Sequence, residues 1–181
     1  MYWADEAKLE IAKRLKEEFG NDLVRAEWRS SAKNEDWLKI GEVYSPRPDI
    51  AVGPFNTSTQ DIERTVGEIR QKFDEKKDFF RLFDIRHGNN GNPRCLLAIE
   101  TEGSRRGKYS LGNLLNSAIL GYVGIVIVKE ELWGDIKRIE SYLDGAFKHG
   151  KIKEKVTKNL ALFKYEDFKQ KLEKGKDSKR F

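Results

Sequence analysis

The run Cys95-Leu96-Leu97-Ala98-Ile99-Glu100-Thr101-Glu102-Gly103 constrains the fold of this chain more than any other stretch. A continuous apolar run bounded by turn signals reads as a strand buried on both faces, and such a strand belongs inside a sheet. Helical spacing follows from Leu111 to Tyr122, with Leu111, Leu114, Leu115, Ala118, Ile119 and Tyr122 apolar and Ser110 placed to cap the start. Gly121 and Gly124 bracket the helix end, and Ile125-Val126-Ile127-Val128 is a second fully buried strand. Strand, crossover helix and buried strand form a βαβ unit, so the two strands are expected to be parallel. The fold class expected is α/β, with a mixed central sheet flanked by helices.

The remaining segments supply the flanking elements. Trp3 to Phe19 reads as a helix whose Ala4, Ala7, Ile11, Leu15 and Phe19 share a face. Leu23 to Arg29 alternates like a half-exposed strand, Ser30 to Asp36 is a polar turn, and Trp37 to Tyr44 is a second strand. Ser45-Pro46-Arg47-Pro48 breaks the chain before a short strand, Asp49 to Phe55, because neither proline can donate to a ladder. Ser58 with Asp61 resembles a capping box for a helix reaching about Lys76, with Ile62, Val66, Ile69 and Phe73 at helical spacing. Phe79 to Phe83 is a short piece, helical or extended, and Arg86 to Arg94 is a glycine- and asparagine-rich loop. Leu132 to His149 is a helix, Leu160 to Phe163 a last strand and Tyr165 to Leu172 a closing helix, with a frayed tail from Lys174. No repeat or linker divides residues 1–181, which read as a single domain with a core of about 3–128 and a helical, basic extension over 129–181.

Composition narrows the chemistry. One cysteine excludes an internal disulfide and a cysteine-based zinc site, and two histidines argue against a histidine-rich metal site. Any metal would be hard and held by oxygen, as Mg²⁺ or Mn²⁺ is. A net charge of +5 permits a polyanionic partner. The acidic opening Asp5-Glu6 does not read as a signal peptide, and no apolar run would cross a bilayer, so the expected setting is soluble and cytoplasmic, with no membrane partner. A phosphate-binding loop of the nucleotide-hydrolase type and a GxSxG motif are both missing from the sequence.

The acids at strand ends carry the functional reading. Strand pleating points Glu100 and Glu102 to the same side, and paired carboxylates persist only with a cation, a shared proton or a basic partner. Asp49 stands at the entrance of the preceding strand. If the two strands are neighbours, Asp49, Glu100 and Glu102 converge on a site able to hold a divalent cation. Arg105, Arg106 and Lys108 follow at once and suit a phosphate backbone. An acid cluster beside a basic loop fits phosphodiester cleavage.

Pro48-Asp49, followed after an insertion by Glu100-Thr101-Glu102 at the end of an apolar strand, resembles the PD-(D/E)xK nuclease motif of the restriction-endonuclease-like fold. The resemblance extends over most of residues 3 to 128. It implies that Asp49 and Glu100 bind Mg²⁺, that the backbone carbonyl of Thr101 joins them, and that an acid of the first helix contributes, with Glu10 the first choice. The motif lysine is replaced by Glu102, as in some restriction enzymes, where a second glutamate helps bind metal or orient the attacking water. Three alternatives follow: a second cation enters, a basic residue such as Lys108 reaches in, or catalysis is lost. The implied activity is a metal-dependent endonuclease acting on DNA, of the type II restriction kind, working as a homodimer. One rival is a catalytically inactive nuclease-fold module that binds nucleic acid; the other is a structural or protein-interaction domain whose acids are surface charge.

Other candidates have plainer readings. His87 belongs to a loop, His149 lies near a helix end, and Cys95 packs as a small hydrophobe. Asn113 and Asn116 are expected on a helix surface, and the basic run Lys148 to Lys158 on a solvated face.

Overall fold

In the computed structural model, residues 3–28, 47–56, 62–88, 90–153 and 155–177 are described. Helix α1 (Trp3–Phe19) leads into the short strand β1 (Val24–Ala26), then β2 (Ile50–Phe55), α2 (Ile62–Glu75) and α3 (Lys77–Leu82). Strand β3 (Cys95–Glu102), α4 (Gly107–Leu120) and β4 (Gly121–Val128) follow, and α5 (Trp133–Lys148), β5 (Leu160–Lys164) and α6 (Tyr165–Asp177) close the chain. The expected strand Trp37 to Tyr44, the turn before it, the Ser45-Pro46 break and the capping residues Ser58 and Asp61 lie outside the described residues.

The strand order is β1-β2-β3-β4-β5, so β3 is the middle strand, and every residue of it is buried. Strands β1, β2 and β3 run antiparallel to one another in turn, while β3, β4 and β5 are parallel. The sheet is therefore mixed, and β3-α4-β4 is the expected parallel crossover unit.

Pleating sorts the side chains onto two faces. Ile50, Val52, Leu97, Ile99, Ile125 and Ile127 pack with α1, α2, α3 and α6 in the larger core. Val126 and Val128 meet Leu114 of α4 and Ile136 and Leu143 of α5 on the other face, where Ala51, Cys95 and Ala98 also pack, against Leu120. Helix α1 buries Ala7, Ile11, Leu15 and Phe19, the stripe that helical spacing marks. The described residues beyond 128 enter both faces: β5 extends the sheet beside β4, and Phe168 of α6 is fully buried among Phe83 and Phe163.

Several boundaries differ from expectation. Helix α4 spans 107–120 rather than 111–122, so Ser110 lies inside it and caps nothing. Strand β4 begins at Gly121 rather than Ile125. A Cβ on Gly124 would meet the Ser117 backbone at 2.7 Å, so this glycine marks close helix-on-strand packing rather than the end of a helix. Strand β1 is shorter than 23–29, because Glu27 leaves the extended region with φ 47°. Phe79 and Phe80 belong to a helix, and the helical conformation continues through Lys174 to Asp177, the first part of the tail expected to fray, while the rest of that tail, 178–181, lies outside the described residues. Among the described residues no helix is long and apolar enough to cross a membrane.

Because the Gly124 contact is backbone against backbone, Gly124→Ala is expected to destabilise the fold by about 1–3 kcal/mol, measured by urea unfolding. An unchanged midpoint would mean that α4 can lift off β4 at little cost.

Candidate metal and nucleic-acid site

Helix α4 and the end of β3 create an unusual environment for acids. Glu100 and Glu102 continue the parity of Ala98 and so face α4. That helix is mostly apolar there, but Ser110, Asn113, Asn116 and Ser117 form a polar stripe at three- and four-residue spacing. Glu102 is nearly sealed. It accepts the Ser104 N–H at 2.6 Å and Asn113 Nδ2 at 3.0 Å, and the Ser110 hydroxyl bonds it as well. Among the described residues, Glu100, which is 4% exposed, receives only two long contacts, Asn116 Nδ2 at 3.5 Å and the Asp49 N–H at 3.4 Å.

Asp49 reaches Glu100 through strand register. Ile50 pairs with Ile99 across the antiparallel β2–β3 ladder, so one further step sets Asp49 opposite Glu100. Asp49 Oδ2 accepts the Thr101 N–H at 2.8 Å and the Thr101 hydroxyl at 2.5 Å. The N–H and C=O of a strand residue point toward the same edge, so the Thr101 carbonyl also looks to the Asp49 side. Asp49 Oδ1 lies 3.8 Å from Lys8 Nζ of α1.

The electrostatics follow from this geometry. Burial, then the charge of Asp49, push the Glu100 carboxyl up to about 8, with Glu102 adding repulsion. Glu102 is also raised, mainly by burial, against its hydrogen bonds to Ser104, Ser110 and Asn113. Burial works to lower the Lys8 ammonium, but its bond to Glu27 and the charges of Asp49, Glu27 and Asp5 leave it raised.

Of the acids and ligands expected from sequence, Asp49, Glu100 and Thr101 come together and Glu102 adjoins them through its charge. Glu10 is engaged elsewhere. Its carboxylate accepts the Tyr165 hydroxyl at 2.5 Å and pairs with Lys169 at 3.2 Å, linking α1 to α6. The α1 residue at the cluster is Lys8, which sequence reasoning passed over. Asn113 and Asn116 are half-buried at the two glutamates rather than free on a surface; the polar stripe in an apolar helix was their signal. Arg105, Arg106 and Lys108 are exposed at the start of α4. The Arg106 guanidinium lies over the ring of Tyr109, which is 54% exposed. Ser104 connects this loop to the acids: its N–H bonds Glu102, and its Oγ accepts the Arg106 N–H at 3.2 Å. His87 and His149 are exposed and Cys95 is buried, its thiol pushed up by burial.

Among the described residues no three histidine, cysteine, aspartate or glutamate side chains are grouped to hold a metal ion. Asp49, Glu100 and the Thr101 carbonyl nevertheless form a hard-oxygen set, and two mutually repelling carboxylates, of which Glu100 is poorly hydrogen-bonded, are what a divalent cation relieves. The donor chemistry thus fits Mg²⁺ or Mn²⁺ with water completing the shell. No protein-family model, curated protein or solved structure matches the chain.

Glu100 gives a signed pH dependence. Its carboxyl rises from an ordinary 4.5 to about 8, so between these values the folded state keeps a proton that the unfolded chain has released. The stability contribution is complete below pH 4.5 and is lost as pH rises toward 8, at no more than about 1.4 kcal/mol per unit. Thermal melts are expected to show wild-type stability falling over this window, Glu100→Gln flattening the fall, and added Mn²⁺ restoring stability at the alkaline end. A flat wild-type profile would contradict the burial of this group.

Proposed function

We propose that this protein is a divalent-metal-dependent endonuclease that hydrolyses DNA phosphodiester bonds, a PD-(D/E)xK-type enzyme of the type II restriction kind. The observation that carries the reading is the pairing of Asp49 with Glu100 at the end of the middle strand, next to an exposed Arg105-Arg106-Lys108 loop.

In this reading Asp49, Glu100 and the Thr101 carbonyl hold Mg²⁺, with Mn²⁺ as a substitute. Bound there, the cation supplies charge neutralisation at the scissile phosphate and lowers the pKa of water. The chain's own residues do the rest. Arg105, Arg106 and Lys108 seat the phosphate backbone, and Tyr109 offers an exposed ring beside them. A water oxygen attacks phosphorus and gives up a proton to solvent, the P–O bond to the leaving oxygen breaks, and a proton from solvent completes the departing hydroxyl. Glu102 keeps the basic loop folded against the acids, through Ser104. Cutting both strands calls for two such sites, which a homodimer provides. The setting proposed is cytoplasmic.

The second reading is a non-cleaving module that binds nucleic acid on the same scaffold. It is favoured by Glu102, which stands in place of the motif lysine with its carboxylate committed to three donors.

Purified protein incubated with plasmid and Mg²⁺ or Mn²⁺ distinguishes the two. Under the enzyme reading, wild type cuts, and Asp49→Asn and Glu100→Ala each lose roughly 10²-fold or more in rate. If Glu100→Ala keeps cutting, the site is wrong; if wild type binds tightly and cuts nothing, the module reading stands. Alanine at Arg105, Arg106 and Lys108 is expected to weaken DNA binding evenly across sequences and to reduce the salt slope by about 1 for each phosphate no longer neutralised.

A further inference from the structure

Glu27 holds a left-handed backbone, with φ 47°, directly after β1. Such a conformation crowds Cβ and persists only where the surroundings enforce it. Two contacts accompany it here. The Glu27 N–H donates to the Asp49 carbonyl oxygen at 2.9 Å, and the Glu27 carboxylate accepts Lys8 Nζ at 2.8 Å. The Lys8 side chain is 16% exposed and the Glu27 side chain 61%. With its carboxylate largely in water, the pair adds little stability. The strained backbone and the exposed pair therefore do little for the fold, but they fix where one ammonium sits.

That place is the edge of the carboxylate site. Lys8 Nζ is 2.8 Å from Glu27 and 3.8 Å from Asp49 Oδ1. It is bonded to the outer acid and only near the inner one. Asp49 Oδ2 is already occupied by the Thr101 N–H and hydroxyl, so Oδ1 is the oxygen left facing Lys8. An ammonium has three donors, and anchoring one on Glu27 leaves others for a phosphoryl oxygen.

We infer that Glu27 is a positioning residue that tethers Lys8 beside Asp49, and that Lys8 supplies the positive charge missing from the motif at Glu102. The inference rests on the nuclease reading for its catalytic consequence. The tether itself does not. Lys8 comes from the opposite face of the sheet to α4 and reaches Asp49 around the sheet end, so the charge arrives from α1 rather than from the Lys108 loop. With Lys8 held off Asp49, the acid keeps an oxygen for a cation while the ammonium meets the substrate phosphate.

The test combines calorimetric titration with Mn²⁺ alone and plasmid cleavage. Removing a positive charge near Asp49 in Lys8→Met is expected to tighten Mn²⁺ binding by about tenfold. The same variant is expected to lower kcat roughly 10²-fold, and Lys8→Arg to recover part of that loss. Glu27→Gln keeps the shape but frees the ammonium; it should lower kcat in the wild-type background and add nothing to Lys8→Met. Glu27→Gly removes tether and strain together, so it should raise Tm while lowering kcat, a split that a merely structural residue does not produce. Unchanged or weaker Mn²⁺ binding in Lys8→Met, or a Glu27→Gln effect of equal size in both backgrounds, overturns the inference. If wild type cuts no DNA, the nuclease reading fails, and the Mn²⁺ titrations of Lys8→Met and Glu27→Gln still decide whether the tether sets the charge at Asp49.

Discussion

A carboxyl group at the end of the middle strand of a five-stranded sheet has few ways to keep its charge, and the organisation of this protein follows from how Glu100 is treated. Water is excluded by α4 on its own face and by the neighbouring strands, and the two hydrogen bonds it receives from the described residues are both long. The antiparallel register brings Asp49 opposite rather than a base. The result is an acid driven toward its neutral form by burial and by a neighbouring charge. Few arrangements tolerate this without a counter-ion, and most buried acids are paired. Local costs of this kind, held in place by well-packed surroundings, cluster at functional sites.

Glu102, two residues away on the same face, is treated in the opposite way. Three donors satisfy it, and one of them, Ser104, passes the connection on to Arg106. One strand end therefore carries an under-satisfied acid and a well-satisfied one. The first is chemically available. The second fixes the exposed cations relative to it. Helix α4 makes the difference, since Ser110 and Asn113 converge on Glu102 while Asn116 only grazes Glu100.

The C-terminal third contributes by holding α1. Tyr165 and Lys169 of α6 grip Glu10, the Tyr165 ring packs edge-on to Trp3, and Phe168 fills the core beneath. A helix docked this firmly presents Lys8 to Asp49 at a defined distance. The acid expected in the site from this helix serves instead as its anchor, and the lysine two positions earlier takes the place at the cluster.

The pattern of apolar residues was enough to read the α/β class, the middle strand, the parallel crossover unit and the buried stripe of α1, because burial on one or both faces writes itself into residue spacing. The same pattern made Asp49, Glu100 and Glu102 conspicuous as acids at strand ends, whereas Thr101 was singled out only by the resemblance to the nuclease motif. Tertiary structure alone decided that Glu10 turns to Tyr165, that Lys8 meets Asp49, that Asn113 and Ser110 seal Glu102, and that Gly124 belongs to a strand pressed against a helix. Each of these depends on contacts between residues far apart in the chain or on separate elements. Periodicity reports which side of an element is buried, but not which partner lies across from it. That choice is made by strand register and helix docking, which satisfy the whole core at once and leave each polar side chain the neighbours that remain.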